Sequence, residues 1–107
     1  MPGKKLLGNA FSLNMLSELP AHVHVEEVER CSFAEAAASA RSVVGHPDTA
    51  AVLGHELGIE VAVNRETVTL DAGDELLVAQ YSGPRLEEGA TQLPEGAAFR
   101  YLRVTVS

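Results

Sequence analysis

Residues Ser42 to Leu57 read SVVGHPDTAAVLGHEL, and the predicted fold is organised around this segment. Its first half contains two consecutive valines, Val43 and Val44, and ends at Gly45. Its second half is predicted to be a helix, because small and apolar residues recur there at helical spacing. Pro47 suits the first helical position, since the N–H that proline lacks would have no partner there. The apolar stripe of this helix is predicted to consist of Ala50, Ala51, Leu53 and Leu57.

His46 therefore lies at the N-terminus of the predicted helix. Free backbone N–H groups and the helix dipole attract an anion at such a position. Two interpretations are open. A proton donor beside a phosphate-sized anion site suits phosphodiester chemistry, whereas in the simpler alternative His46 only caps the helix.

The whole chain, residues 1–107, is predicted to form one domain with a single core. Its net charge of −7 argues against nonspecific binding of long DNA or RNA, which requires many Lys and Arg contacts. Its eight Lys and Arg residues suffice for one small anion pocket, above all if two subunits contribute to it. No apolar run reaches the roughly 20 residues of a membrane helix. A lone cysteine, Cys31, fits a cytoplasmic location.

The order of predicted elements indicates the α/β class, with a mixed sheet flanked by helices. Predicted strands cover Lys4–Gly8, Ala21–Val28, Ile59–Asn64, Thr67–Leu70, Glu75–Tyr81 and Ala98–Val106. Predicted helices cover Asn14–Leu19, Ser32–Arg41 and Pro47–Leu57, the last ended by Gly58. The clearest pairing is a hairpin in which the acidic turn Asp71–Asp74 joins the fourth and fifth strands.

Metal sites are not predicted anywhere in the chain. His22 and His24 share one face of a strand but lack a cysteine or a third histidine nearby. His55 and Glu56 resemble the start of a zinc-protease motif, but Ile59 occupies the place of its second histidine.

The polar turn Asn9–Ser12 follows a predicted strand and precedes a helix N-terminus. This is where α/β sheets place ligand-binding groups. Plain capping by Asn9 or Ser12 explains the same residues equally well.

Three separated pieces of the sequence together resemble one family, the viral type III anti-CRISPR ring nucleases and their bacterial relatives. The pieces are GNAFSLNML from residue 8, VVGHPDTAAVLGHELG from residue 43 with VNRETVTLDAGDELLVAQ from residue 63, and RLEEG from residue 85. The resemblance spans residues 4–89. Residues 29–42 and the Gly83-Pro84 pair depart from the family pattern.

The resemblance implies an enzyme that degrades cyclic tetra-adenylate, the second messenger of type III CRISPR defence. It implies a homodimer with its site across the two-fold axis, and no metal or other cofactor. By motif, the residues implied to be catalytic are His46, Arg85 and Glu88. Those implied to bind the ligand are Asn9, Ser12, Asn14, Arg65 and Gln80.

Cleavage of RNA without a metal uses the ribose 2′-hydroxyl as nucleophile and leaves a 2′,3′-cyclic phosphate. Arg85 suits the stabilisation of phosphoryl charge, and His46 suits protonation of the leaving oxygen. Glu88 orients Arg85, contacts the 2′-hydroxyl or is a simple surface carboxylate; these alternatives are open. A protein that binds the cyclic nucleotide without cutting it, as a sponge or sensor, is the second hypothesis. A small interaction protein is the third.

Overall fold

A computed structural model describes residues 3–107 of the chain. The strands among these residues are β1 (Lys5–Gly8), β2 (Val23–Glu27), β3 (Arg41–Ser42), β4 (Glu75–Ser82) and β5 (Ala98–Val106). The α-helices are α1 (Arg30–Ala37) and α2 (Pro47–Leu57), and a short 3-10 helix covers Leu13–Met15. No helix within the described range is long and apolar enough to cross a membrane.

The five strands form one sheet in the order β2-β5-β4-β1-β3. β1 runs parallel to both β3 and β4, while β5 pairs antiparallel with β4 and with β2. The sheet is therefore mixed, and the predicted α/β class is confirmed. Because β1, β3 and β4 are parallel, their carboxyl ends lie at the same edge of the sheet.

β4 lies at the centre of the sheet and is buried on both of its faces. Leu77 and Ala79 point to the face that α1 and α2 cover, where Phe33 and Leu53 are fully buried. Leu76 and Val78 point to the opposite face. That second face is covered by coil and the 3-10 helix, which contribute Phe11, Met15, Leu16, Val68 and Leu70.

Helix α2 begins and ends where the local signals of the sequence predict. Pro47 occupies the first turn, and Gly58 ends the helix in the left-handed conformation with a φ of 69°. The prediction for the buried stripe is wrong at one position, since Ala51 is exposed and Val52 is fully buried. The buried residues of α2 pack in one cluster with Phe33 of α1 and with Leu77 and Ala79 of β4.

The predicted hairpin is wrong. Of its first strand, Leu70 alone makes a β-bridge, and that bridge is to Leu16. β4 pairs instead with β5 and β1. The turn before β4 explains the difference, because the buried carboxylate of Asp74 accepts hydrogen bonds from the backbone N–H groups of Asp71 at 2.7 Å and Lys4 at 2.8 Å. These bonds direct β4 alongside β1.

Three further predictions of local structure are corrected. Residues 59–64 form no strand, and the helix predicted over 14–19 is only the 3-10 turn. Helix α1 has Glu29 at its N-cap and covers Arg30–Ala37, so the helix predicted over Ser32–Arg41 starts two residues too late and ends four residues too late. In each case the local pattern is weak, and long-range packing determines the conformation.

Candidate active site

A cleft of about 810 Å³ lies at the N-terminus of α2. Its volume falls in the range of about 300–1,000 Å³ that is usual for small-molecule sites. The residues that line it are Asn9, His46, Asp48, Thr49, Tyr81, Arg85, Leu86, Glu87 and Glu88. The fold therefore brings together His46, Arg85, Glu88 and Asn9, which the sequence resemblance grouped in one site.

The topology of the sheet explains why these residues meet. Asn9 directly follows β1, and Tyr81 lies near the end of β4, which runs parallel to β1. His46 comes four residues after β3, the other parallel neighbour of β1. Ligand sites of open α/β sheets lie at the carboxyl ends of such strands.

His46 is the N-cap residue of α2, in an extended conformation, and its side chain makes no capping hydrogen bond. Its backbone carbonyl instead accepts the N–H of Ala50 at 3.0 Å, the first regular bond of the helix. The imidazole is exposed on the wall of the cleft. His46 is thus the N-cap residue, as the simpler interpretation has it, and its side chain remains free of any capping hydrogen bond.

Arg65 lies beside Gly45, the residue before His46. A Cβ atom added at Gly45 would lie 3.3 Å from the Cβ of Arg65, so the missing side chain allows this close approach. The Asn64 backbone N–H donates to the Val44 carbonyl at 2.8 Å and its side-chain amide to the Ser42 carbonyl at 3.0 Å. These bonds fix Arg65 next to the start of α2, although its side chain does not line the cleft.

Arg65 and Arg85 differ from the other basic residues in their partners. Within residues 3–107 they are the two among Lys and Arg with no carboxylate oxygen within 4.0 Å. The residues that do have such partners are Lys4, Lys5, Arg30, Arg41, Arg100 and Arg103. In a chain of net charge −7, two guanidinium groups without a carboxylate partner near one helix N-terminus favour the binding of an external anion.

Carboxylates also line the cleft. Glu87 and Glu88 are exposed, and the side chains of both make no hydrogen bond or ion pair within the described part of the chain. The Asp48 carboxylate accepts the Gly89 N–H at 3.0 Å. Arg85 and His46 therefore share the cleft with three acidic side chains.

The residues implied to bind the ligand lie at different distances from the cleft. Asn9 lines it and also lines two smaller grooves next to it, one with Gln80 and the other with Asn14. Ser12 lines none of these, and its hydroxyl accepts the Asn14 N–H at 3.2 Å as the cap of the 3-10 helix. The hydroxyl of Ser12 therefore caps the 3-10 helix, as the capping interpretation predicts.

Sequence reasoning missed Asp48 and Tyr81. The Tyr81 hydroxyl donates to the carbonyl of Pro84, and Asp48 binds Gly89, so both act on the segment that carries Arg85. An aspartate in the first turn of a helix is common, and no local signal distinguishes this one. No group of three or more His, Cys, Asp or Glu side chains suited to a metal ion occurs within residues 3–107.

Fold and site together define a small α/β protein with a mixed five-stranded sheet and a polar cleft at the start of α2. The chain belongs to the STIV B116-like family, whose model matches residues 5–98. It is similar to a solved structure, B116 of Sulfolobus turreted icosahedral virus (STIV), with a TM-score of 0.81 and 28% sequence identity. That match covers 96% of this chain and 99% of the viral one. No curated protein matches the chain.

Proposed function

We propose that the chain is a metal-independent ring nuclease that opens cyclic tetra-adenylate and so switches off type III CRISPR signalling. The observation that carries this proposal is the presence of His46, Glu88 and an Arg85 without a carboxylate partner in one cleft at a helix N-terminus. The similarity to a viral protein is consistent with it, because the sequence resembles viral ring nucleases.

In the proposed reaction the ribose 2′-oxygen attacks the adjacent phosphorus. A bond from this oxygen to phosphorus forms while the bond from phosphorus to the 5′-oxygen breaks. The 2′-hydroxyl loses its proton, and the departing 5′-oxygen gains one. The product is a linear oligonucleotide with a 2′,3′-cyclic phosphate, and no metal or cofactor takes part.

His46 is the proposed proton donor to the 5′-oxygen. Imidazole titrates near neutral pH and can therefore hold and release a proton under physiological conditions. Its position at the N-cap places it beside the free N–H groups of the first turn of α2. A phosphate bound to those N–H groups would bring its leaving oxygen close to the imidazole.

Arg85 is the proposed ligand of the phosphoryl oxygens. A guanidinium group donates two parallel hydrogen bonds to a phosphate, and these strengthen as negative charge develops in the transition state. The absence of a carboxylate within 4.0 Å among residues 3–107 leaves its donors available for this purpose. Glu88, three residues further on, would orient the guanidinium or accept a hydrogen bond from the 2′-hydroxyl.

The proposed assembly is a homodimer with the ligand on its two-fold axis. One subunit offers a single cleft with three carboxylates, which is poorly matched to a ring with four phosphates. The ring has a two-fold axis of its own, so a C2 dimer would present two identical clefts to it. Arg65 and Arg85 from both subunits would then offset the acidic side chains.

The test is incubation of the purified protein with cyclic tetra-adenylate in excess EDTA, with products identified by mass spectrometry. We expect linear products that carry a 2′,3′-cyclic phosphate. Loss of activity in EDTA with rescue by magnesium or manganese would contradict the mechanism. Tight binding without cleavage would identify a sponge or sensor, and no binding at all would favour a protein-interaction role.

A further inference from the structure

The loop of residues 83–89 carries Arg85 and Glu88, but little within it fixes these side chains. It contains no helix or strand, and both residues are exposed. Leu86 is half-buried against the core on the helix side and holds the middle of the loop. Exposed side chains on such a segment sample many orientations unless contacts from outside the loop restrict it.

Two side-chain hydrogen bonds restrict the two ends of the loop. At its start, the hydroxyl of Tyr81 donates to the Pro84 carbonyl. At its end, the backbone N–H of Gly89 donates to Oδ1 of Asp48 at 3.0 Å, across 41 residues of sequence.

The bond to Asp48 connects the two parts of the cleft. Asp48 lies in the first turn of α2, two residues after His46. Gly89 directly follows Glu88 and lies four residues after Arg85. One hydrogen bond thus joins the helix end that bears the imidazole to the loop end that bears the carboxylate.

We propose that Asp48 is a positioning residue. This inference rests on the function proposed above. By accepting the Gly89 N–H, Asp48 holds Glu88 and Arg85 opposite His46, and Tyr81 holds the other end of the loop. Asp48 does not contact the reacting phosphate. It acts through the geometry of the loop.

The choice of a carboxylate at this position supports a specific role. A negative charge in a cleft that binds phosphate weakens binding, and Asp48 is the acidic residue of this cleft whose carboxylate has a hydrogen-bond partner within residues 3–107. Charge-assisted hydrogen bonds are roughly twice as strong as neutral ones, which favours a carboxylate as the acceptor. The simpler alternative is that Asp48 only stabilises α2 through the helix dipole.

The experiment compares Asp48→Ala and Asp48→Asn with wild type in single-turnover cleavage of cyclic tetra-adenylate. Asp48→Ala removes the acceptor and should slow cleavage about tenfold. Its dissociation constant for the nucleotide should change much less than its rate, because the loss of a negative charge favours binding while the less restricted Arg85 weakens it. Asp48→Asn keeps an oxygen that can accept the Gly89 N–H, and its rate should return to within about threefold of wild type.

Glu60→Ala is the control. It removes an exposed carboxylate that does not line the cleft and whose side chain makes no hydrogen bond or ion pair within residues 3–107. It should leave the cleavage rate unchanged. Tyr81→Phe deletes only the hydroxyl at the other end of the loop, and it should slow cleavage even if Asp48→Ala proves too unstable to assay.

Two outcomes of these rate and stability measurements would overturn the inference. If the Asn variant is as slow as the Ala variant and both lose the same unfolding free energy, Asp48 acts on the helix through its charge. Wild-type rates in Asp48→Ala and Tyr81→Phe would also overturn it.

Hydrogen exchange of the Gly89 amide, measured by NMR, separates this inference from the proposed function. Exchange should be slow in wild type and Asp48→Asn but fast in Asp48→Ala, whether or not the protein cuts the nucleotide. If the Gly89 amide of wild type exchanges slowly but the protein does not cleave the nucleotide, the hydrogen bond is present and only the proposed nuclease function is refuted. Equal exchange in all three proteins would refute the positioning role.

Discussion

Replacement of His46 by alanine is the sharpest test of the proposed catalytic function, because it separates that function from stability. The imidazole is exposed and makes no capping hydrogen bond to α2. Substitutions at such surface positions usually change the unfolding free energy by less than about 0.5 kcal/mol. We therefore expect His46→Ala to fold normally and to unfold at nearly the same urea concentration as wild type.

The effect on cleavage should be far larger. General acid catalysis contributes about 10²–10⁴-fold in rate, which corresponds to about 3–5 kcal/mol in the activation free energy. Because the proposed proton transfer to the 5′-oxygen would occur only in the transition state, the loss should appear in the rate and not in binding. His46→Ala should bind cyclic tetra-adenylate with nearly wild-type affinity and cleave it at least about 100-fold more slowly.

The assay is single-turnover cleavage, combined with calorimetry for the dissociation constant. His55→Ala is the control, since His55 is an exposed histidine in the last turn of the same helix and does not line the cleft. A folded His46→Ala protein that cuts at the wild-type rate would refute the catalytic assignment. A dissociation constant that rises as much as the rate falls would make His46 a binding residue instead.

Three other predictions concern charge, assembly and acid stability. Arg85→Lys keeps the charge but loses the second parallel hydrogen bond, so single-turnover cleavage should fall about tenfold or more; wild-type turnover would reduce Arg85 to a generic charge. Light scattering at micromolar concentration with cyclic tetra-adenylate should give the mass of a dimer, and a monomer mass would exclude the shared site. Burial raises the pKa of Asp74, but hydrogen bonds from the Asp71 backbone and from the Lys4 side chain and backbone outweigh it and lower the pKa below its ordinary 3.8. The stabilisation from this carboxylate is therefore complete above that ordinary value and is lost as the pH falls through the lower folded-state pKa. Urea unfolding should show Asp74→Asn to be less stable by about 2 kcal/mol at pH 7 and less sensitive to acid than wild type.

The sequence determined those parts of the protein whose causes are local. Pro47 and Gly58 set the ends of α2 because each residue has a conformational preference that needs no distant partner. The apolar runs that became β1, β4 and β5 were predicted for the same reason. Motif resemblance singled out His46, Arg85 and Glu88, and Asn9 with them, before their distances were known.

Strand pairing was decided only by the tertiary structure. The alternation of polar and apolar residues along Thr67–Leu70 indicates that one face of this segment is buried, but the alternation does not specify which strand pairs with the segment. The buried carboxylate of Asp74 joins Lys4 to the turn before β4, and this contact across 70 residues places β4 beside β1. No local pattern carries that information.

The geometry of the site was likewise decided by contacts between distant residues. Arg85 is 39 positions from His46 in the chain. The hydrogen bond from Gly89 to Asp48 and the packing of Leu86 bring the loop to the helix. Arg65 reaches the same end of α2 because Gly45 has no side chain to exclude it. The sequence thus determines the residue types of the cleft, whereas their proximity results from hydrogen bonds and packing between residues that are distant in the chain.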